Sequence, residues 1–232
     1  MNLMICLLLC CFFSSAAYSQ IKNFEFPSIP ESGKSINDFI PIGWKLKDTV
    51  SGDFNPDKQN NLVMVIERKD SLSFEDTICF GREPFYPRML ITVFKRAGED
   101  YKTSAVATKM FGTCNWGIQG TDPYDRLSKR GATFVIEFSD GGTLRNIWTY
   151  YFTFHNGHWF LIGASRLTYW AGHPGAYFED LNLVSGVKHI IGRNKPHGKD
   201  TSFEKYSFKP ETFVQLTDLT PDTVLPFTPD HN

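Results

Sequence analysis

The chain has 232 residues, of which 41% are hydrophobic, 15% aromatic and 21% charged, with 24 Lys and Arg against 25 Asp and Glu. Its 18 Gly and 13 Pro are ordinary globular usage, which excludes collagen-like and low-complexity chains, and the apolar fraction excludes intrinsic disorder. A net charge of -1 and a pI near 6.6 leave no electrostatic footprint for nucleic acid or an anionic membrane surface.

Leu3 to Phe13 is an apolar run followed by Ser14, Ser15, Ala16 and Ala17. It is shorter than the roughly 20 residues a membrane span needs, and it suits the core of a signal peptide. Ala17 and Ser19 fit a cleavage site, so residues 1–19 are expected to be removed and the mature chain to begin near Gln20, with no transmembrane segment. The expected location is the periplasm or the secreted fraction. The alternatives are a retained anchor and a lipoprotein, the latter through Cys10 or Cys11, although Leu7-Leu8-Leu9 lack the small residue expected ahead of an acylated cysteine. The mature chain keeps Cys79 and Cys114. In an oxidising compartment the two can pair, and a bridge closing a loop of about 35 residues would stabilise by roughly 2–4 kcal/mol. Two buried free thiols are the other reading.

From residue 20 to 34 the chain, with Pro27 and Pro30, reads as an extended lead-in. Ser35-Ile36-Asn37-Asp38 has the form of a capping box, and Pro41 limits any helix there to about one turn. Residues 35–192 then read as one β-rich domain of antiparallel sheets, arranged as a sandwich or partly propeller-like. Leu62 to Ile66 and Met89 to Phe94 are apolar on both faces, as in central strands covered on both sides. Thr133 to Phe138 alternates, with Phe134, Ile136 and Phe138 on one face. Ser139 to Gly142 marks a reversal. The hairpin signal is strongest at Asn156-Gly157, a type I′ pair flanked by Thr149 to Phe154 and by Trp159 to Ile162. That register places Trp148, Tyr150, Phe152 and Phe154 on the core face with Trp159 and Leu161. Residues 193–232 read as an extended, surface-hugging tail with one strand near Phe203 to Phe208.

Asp53, Asn55, Asp57 and Asn61 offer oxygen side chains at positions 1, 3, 5 and 9, with the backbone carbonyl of Gln59 at position 7, the spacing of a calcium loop. The stretch Gly52 to Glu67 resembles the calcium-type loop and strand of the FG-GAP (integrin-like, VCBS-type) repeat. A wider pattern is similar to small uncharacterised exported bacterial proteins that carry one degenerate loop of this kind. It takes in Pro87 to Ile91, Asp122-Pro123-Tyr124-Asp125, Thr149 to Ile162 and Asn182 to Gly186. The resemblance implies a fold type and a compartment, and no reaction. Lys58 stands where that loop has glycine, and Asn61 where it has aspartate, so weak structural calcium is the most the loop supports, against a plain polar loop held by Asx-type hydrogen bonds. No other cofactor is expected.

His155 and His158 face each other across the hairpin as half a metal site without evident further ligands. Two glycine-rich loops, Gly112 to Asp122 and Tyr169 to Tyr177, hold aromatics beside amides and carboxylates, which suits a sugar-like ligand. Trp116, Asp122, Tyr124 and Trp170 are the candidate ligand-binding residues, with Trp116 and Trp170 expected to share a concave site. There is no nucleophile elbow, no Walker loop and no zinc signature. The function expected is therefore a non-catalytic exported or cell-envelope protein with a structural or ligand-binding role, its partner a glycan or an envelope component. The alternatives are a secreted hydrolase acting through carboxylates in the aromatic loops, the sequence leaving Asp122, Asp125 and Glu137 unplaced relative to one another, and a dedicated glycan-binding module.

Overall fold

The computed structural model describes residues 24–54, 61–72, 84–95, 98–112, 115–173, 175–193, 201–209, 214–223, 225 and 227. Among the described residues twelve strands run in chain order: β1 Ser32–Gly33, β2 Trp44–Gly52, β3 Asn61–Arg68, β4 Arg88–Lys95, β5 Tyr101–Ala107, β6 Tyr124–Arg130, β7 Thr133–Gly141, β8 Leu144–His155, β9 His158–Trp170, β10 Ala176–Asn182, β11 Val187–Arg193 and β12 Thr201–Ser207. They form two antiparallel sheets, one of five strands in the order β1-β5-β4-β3-β2 and one of seven that meanders from β6 to β12. No α-helix occurs among the described residues. Where a turn of helix is expected, Ile36–Phe39 forms a single 3-10 turn, with the Asp38 carboxylate accepting the Lys34 and Ser35 amides.

One core lies between the sheets. Val63, Val65 and Leu90 of the five-stranded sheet meet Phe134, Ile136, Phe138, Phe152 and Leu161 of the other, and Phe54 and Trp159 fill the space between with rings 5.8 Å apart. The alternate residues of β3 and β4, Leu62, Met64, Ile66, Met89, Ile91 and Val93, form a second core on the outer face of the five-stranded sheet. Phe24, Phe26 and Ile29 of the lead-in cover it together with Ile36 and Phe39 of the 3-10 turn. That covering explains why β3 and β4 are apolar on both faces.

The hairpin turns through Asn156 at φ 48° and Gly157 at φ 86°, the two positive angles of a type I′ turn, and sets His155 opposite His158, Phe154 opposite Trp159 and Phe152 opposite Leu161. The end of the chain departs from a surface-hugging path. Beyond the end of β10, Val214 and Leu216 bond to the free edge of β9, through Leu161 N–H to the Val214 carbonyl and Leu216 N–H to the Trp159 carbonyl. Leu216 and Leu219 are then fully buried in the central core. Their hydrophobicity, in a stretch otherwise polar and proline-rich, is what draws this segment inward.

Candidate functional site

At one end of the sandwich a charged cluster joins the sheets. Glu67 shares the inward parity of Val63 and Val65 on β3, and Arg88 lies opposite it on β4. The Arg88 guanidinium donates Nε–H to Glu67 Oε2 at 2.7 Å and a second bond to the same oxygen through Nη2. Its two terminal nitrogens also fork onto the carboxylate of Asp122, which lies just before β6, with Nη2 to Oδ2 at 2.5 Å. Arg88 and Glu67 are buried, whereas Asp122 keeps about a third of its side chain exposed (32%). Lys45 adds an ion pair to Glu67 at 3.1 Å. Burial pushes the Glu67 carboxyl up, but the Arg88 bonds and charge, with those of Lys45 and Lys47, outweigh it and hold the group below the usual carboxylate range. Burial likewise works against the Arg88 cation, and the two carboxylates outweigh it.

Beside this clasp, a bulge at Lys47 turns Asp48 of β2 toward β6. Asp48 Oδ2 accepts the Tyr124 hydroxyl at 2.7 Å and the Leu127 amide at 2.9 Å, bridging the edges of the two sheets. Burial and this anionic acceptor raise the Tyr124 phenol well above its ordinary value. Trp116 leans on Phe138 with ring centres 5.4 Å apart and donates its indole N–H to the Phe111 carbonyl. Trp116, Asp122 and Tyr124 are thus brought together around Phe138 and Arg88.

Trp170 is not part of that group. It ends β9 opposite Leu144, half exposed at 51%, four residues or about 13 Å of strand beyond Arg166, whose position is two strands from Phe138 in the register. The shared concave site expected for Trp116 and Trp170 does not form because Trp116 serves the core. Between the two lies a second charged pair. Arg166 donates to Glu179 at 2.6 Å, both are buried, and the guanidinium sits 5.3 Å from the rings of both Trp148 and Phe227. Trp148 in turn donates to Asp140 at 2.7 Å.

Of the calcium-loop residues, Asn55, Asp57 and Gln59 lie outside the described residues. Asn61 is fully buried at the start of β3 and its amide oxygen accepts the Lys95 amide at 3.2 Å, a bond within the sheet. Asp53 keeps one buried carboxylate oxygen with no hydrogen-bond partner. No group of three His, Cys, Asp or Glu suited to a metal occurs among the described residues, which leave out three of the five loop residues. His155 and His158 are exposed at the hairpin tip. Cys79 and Cys114 lie outside the described residues.

Asp125 and Glu137 stand apart from the clasp, Asp125 accepting the Ser139 hydroxyl and Glu137 paired with Arg126. Burial of the Asp125 carboxyl and the nearby charges of Glu137 and Asp122 raise it above the usual range despite the Ser139 bond. Sequence reasoning missed Glu67, Arg88, Asp48 and the Arg166–Glu179 pair. A signal was present: each of these pairs puts a charge at the inward parity of an otherwise apolar strand, which is tolerable only when a partner faces it. No helix among the described residues is long and apolar enough to cross a membrane. No family model matches the chain, and no curated protein or solved structure matches it.

Proposed function

We propose that the protein acts, once exported, as a non-catalytic binding scaffold of the cell envelope or secreted fraction, with recognition carried by the β9–β12 side of the seven-stranded sheet. One observation carries this reading. Five of the seven large hydrophobic side chains exposed among the described residues, Trp170, Val184, Ile191, Phe203 and Tyr206, lie between the end of β9 and β12. In the register Ile191 and Phe203 lie on the outer face of the sheet and Trp170 and Tyr206 on the other, so exposed apolar groups flank both faces of this end of the sheet, as they do at interaction surfaces. Among the acids at the other end, Asp122 has both carboxylate oxygens engaged by Arg88. Export rests on the short apolar leader, and amino-terminal sequencing of the protein recovered from outside the cytoplasm is expected to start near Gln20.

The binding test is co-sedimentation of the mature chain with isolated envelopes, compared with Trp170→Ala. The wild type is expected in the pellet and the variant, with unchanged circular dichroism, mostly in the supernatant. Equal partition of the two overturns the reading. A glycan ligand is favoured by the half-exposed Trp170 with Tyr177 on its diagonal across β9 and β10, two rings on one face. A panel of polysaccharides that leaves tryptophan fluorescence unmoved removes the glycan and keeps a protein partner.

A further inference from the structure

We infer that the protein self-associates through β12, two copies pairing their edge strands antiparallel about a two-fold axis at Phe203, so that their seven-stranded sheets continue into each other. The inference rests on the reading of β9–β12 as the contact surface and names its occupant as a second copy of the chain. β12 ends its sheet, and the side chains of Ser202 to Ser207 are all exposed. Among the described residues nothing pairs with its outer edge. By contrast, the β2 and β6 edges are joined to each other through Asp48. An edge strand left open presents a row of backbone donors and acceptors ready for another strand.

The solvent-facing side of the sheet carries an apolar row in register across five strands: Ile147 opposite Leu167, Leu167 opposite Phe178, Phe178 opposite Ile191, and Ile191 opposite Phe203. The first three are half-buried, Ile191 is 37% exposed and Phe203 64%, so exposure climbs toward the open edge. A second Phe203 set against the first continues the row.

Charge selects the register. A two-fold axis perpendicular to the sheet sets one residue opposite its own copy. Centred on Glu204, the whole strand pairs but two carboxylates face each other; centred on Lys205, two ammonium groups do, and directly opposed like charges destabilise a sheet. Centred on Tyr206, only residues 205–207 pair within the strand. Centred on Phe203, ring meets ring, Ser202 faces Glu204 on both sides, and residues 201–205 pair within the strand. A five-residue ladder is far smaller than the roughly 1,600 Å² of a stable complex, so the dimer forms only as concentration rises.

The test is sedimentation velocity of the mature chain from low to high micromolar concentration. The wild type is expected to shift from monomer to dimer, and Phe203→Lys, which sets like charges opposite, to stay monomeric throughout. Phe203 is exposed, so the fold survives, checked by circular dichroism. On mild oxidation Phe203→Cys is expected to give a covalent dimer on a non-reducing gel, and Ser207→Cys to give no more than wild type. A chain monomeric at every concentration, a dimer that survives Phe203→Lys, or equal cross-linking at both positions overturns the inference. So does a monomer whose β12 amides gain hydrogen-exchange protection only from an added extended peptide. A monomer that still needs Trp170 to sediment with envelopes removes the dimer and leaves the contact-surface reading standing.

Discussion

Tyr124 and Asp48 are joined across the seam between the two sheets, the phenol donating to a carboxylate oxygen that also accepts the Leu127 amide. Tyr124→Phe removes one charge-assisted bond and keeps the ring against Phe111 and Phe138. A loss of about 1–2 kcal/mol in urea denaturation is expected, in the range of hydrogen bonds to charged groups. Asp48→Ala strips the acceptor from both donors and is expected to cost more. If Tyr124→Phe costs as much in the Asp48→Ala background as in the wild type, the two residues are not coupled and the seam is held by packing alone.

The Glu67–Arg88 pair predicts a specific acid sensitivity. Because the folded-state pKa of Glu67 is lowered, its contribution is fully present above the unfolded carboxylate value, about 4.3, and is lost as pH falls through the lower folded value. Asp125 has the opposite sign. Its folded pKa is raised, so its charge opposes folding at neutral pH, and that opposition fades as pH falls through the raised value. The urea midpoint of Glu67→Gln is therefore expected to be lower than wild type at pH 7 and to fall less steeply below pH 4. That of Asp125→Asn is expected to be higher at pH 7. Removing the cation instead, as in Arg88→Met, leaves Glu67 buried beside lysines alone and is expected to cost about 3–5 kcal/mol. Parallel pH profiles for wild type and Glu67→Gln would dismiss the role given to the clasp.

The strands were legible because their side chains keep period two: the Asn156-Gly157 turn, the core face of β8 and the doubly buried β3 and β4 all follow from spacing and turn chemistry. The site was less so. Trp116 and Trp170 look alike in sequence, each an aromatic in a glycine-rich loop, yet Trp116 packs on Phe138 while Trp170 caps the end of β9. Which loop folds inward depends on sheet order, which no local pattern carries. Glu67 and Arg88 are separated by twenty residues, and only the β3–β4 register makes them partners.

The same limit applies to the end of the chain. Leu216 and Leu219 sit in a polar, proline-bearing stretch, yet they complete the central core beside β9, where β10 has already ended. Leu216→Ala and Leu219→Ala are each expected to cost about 2–5 kcal/mol, the range for truncating a buried leucine. Val184→Ala, in the exposed β10–β11 turn, is expected to change stability by less than about 0.5 kcal/mol. Urea melts that show the two leucine variants as stable as the wild type would return this segment to the surface.

Asp53 separates a cation loop from a polar one. Its orphaned oxygen would welcome a metal ion, but Asn61, at the far end of the loop, is tied into the β3–β4 ladder by the Lys95 amide. Lys58, which stands where a calcium loop has glycine, also adds a positive charge to the loop sequence. Repulsion and the shortage of carboxylates both weaken affinity. Millimolar calcium is accordingly expected to leave the melting temperature of the wild type unchanged, and Asp53→Asn, which makes the buried oxygen neutral, to match or exceed it. A calcium-dependent rise in melting temperature that disappears in Asp53→Asn would instead establish a bound ion, because ligand binding to the folded state alone raises stability with concentration.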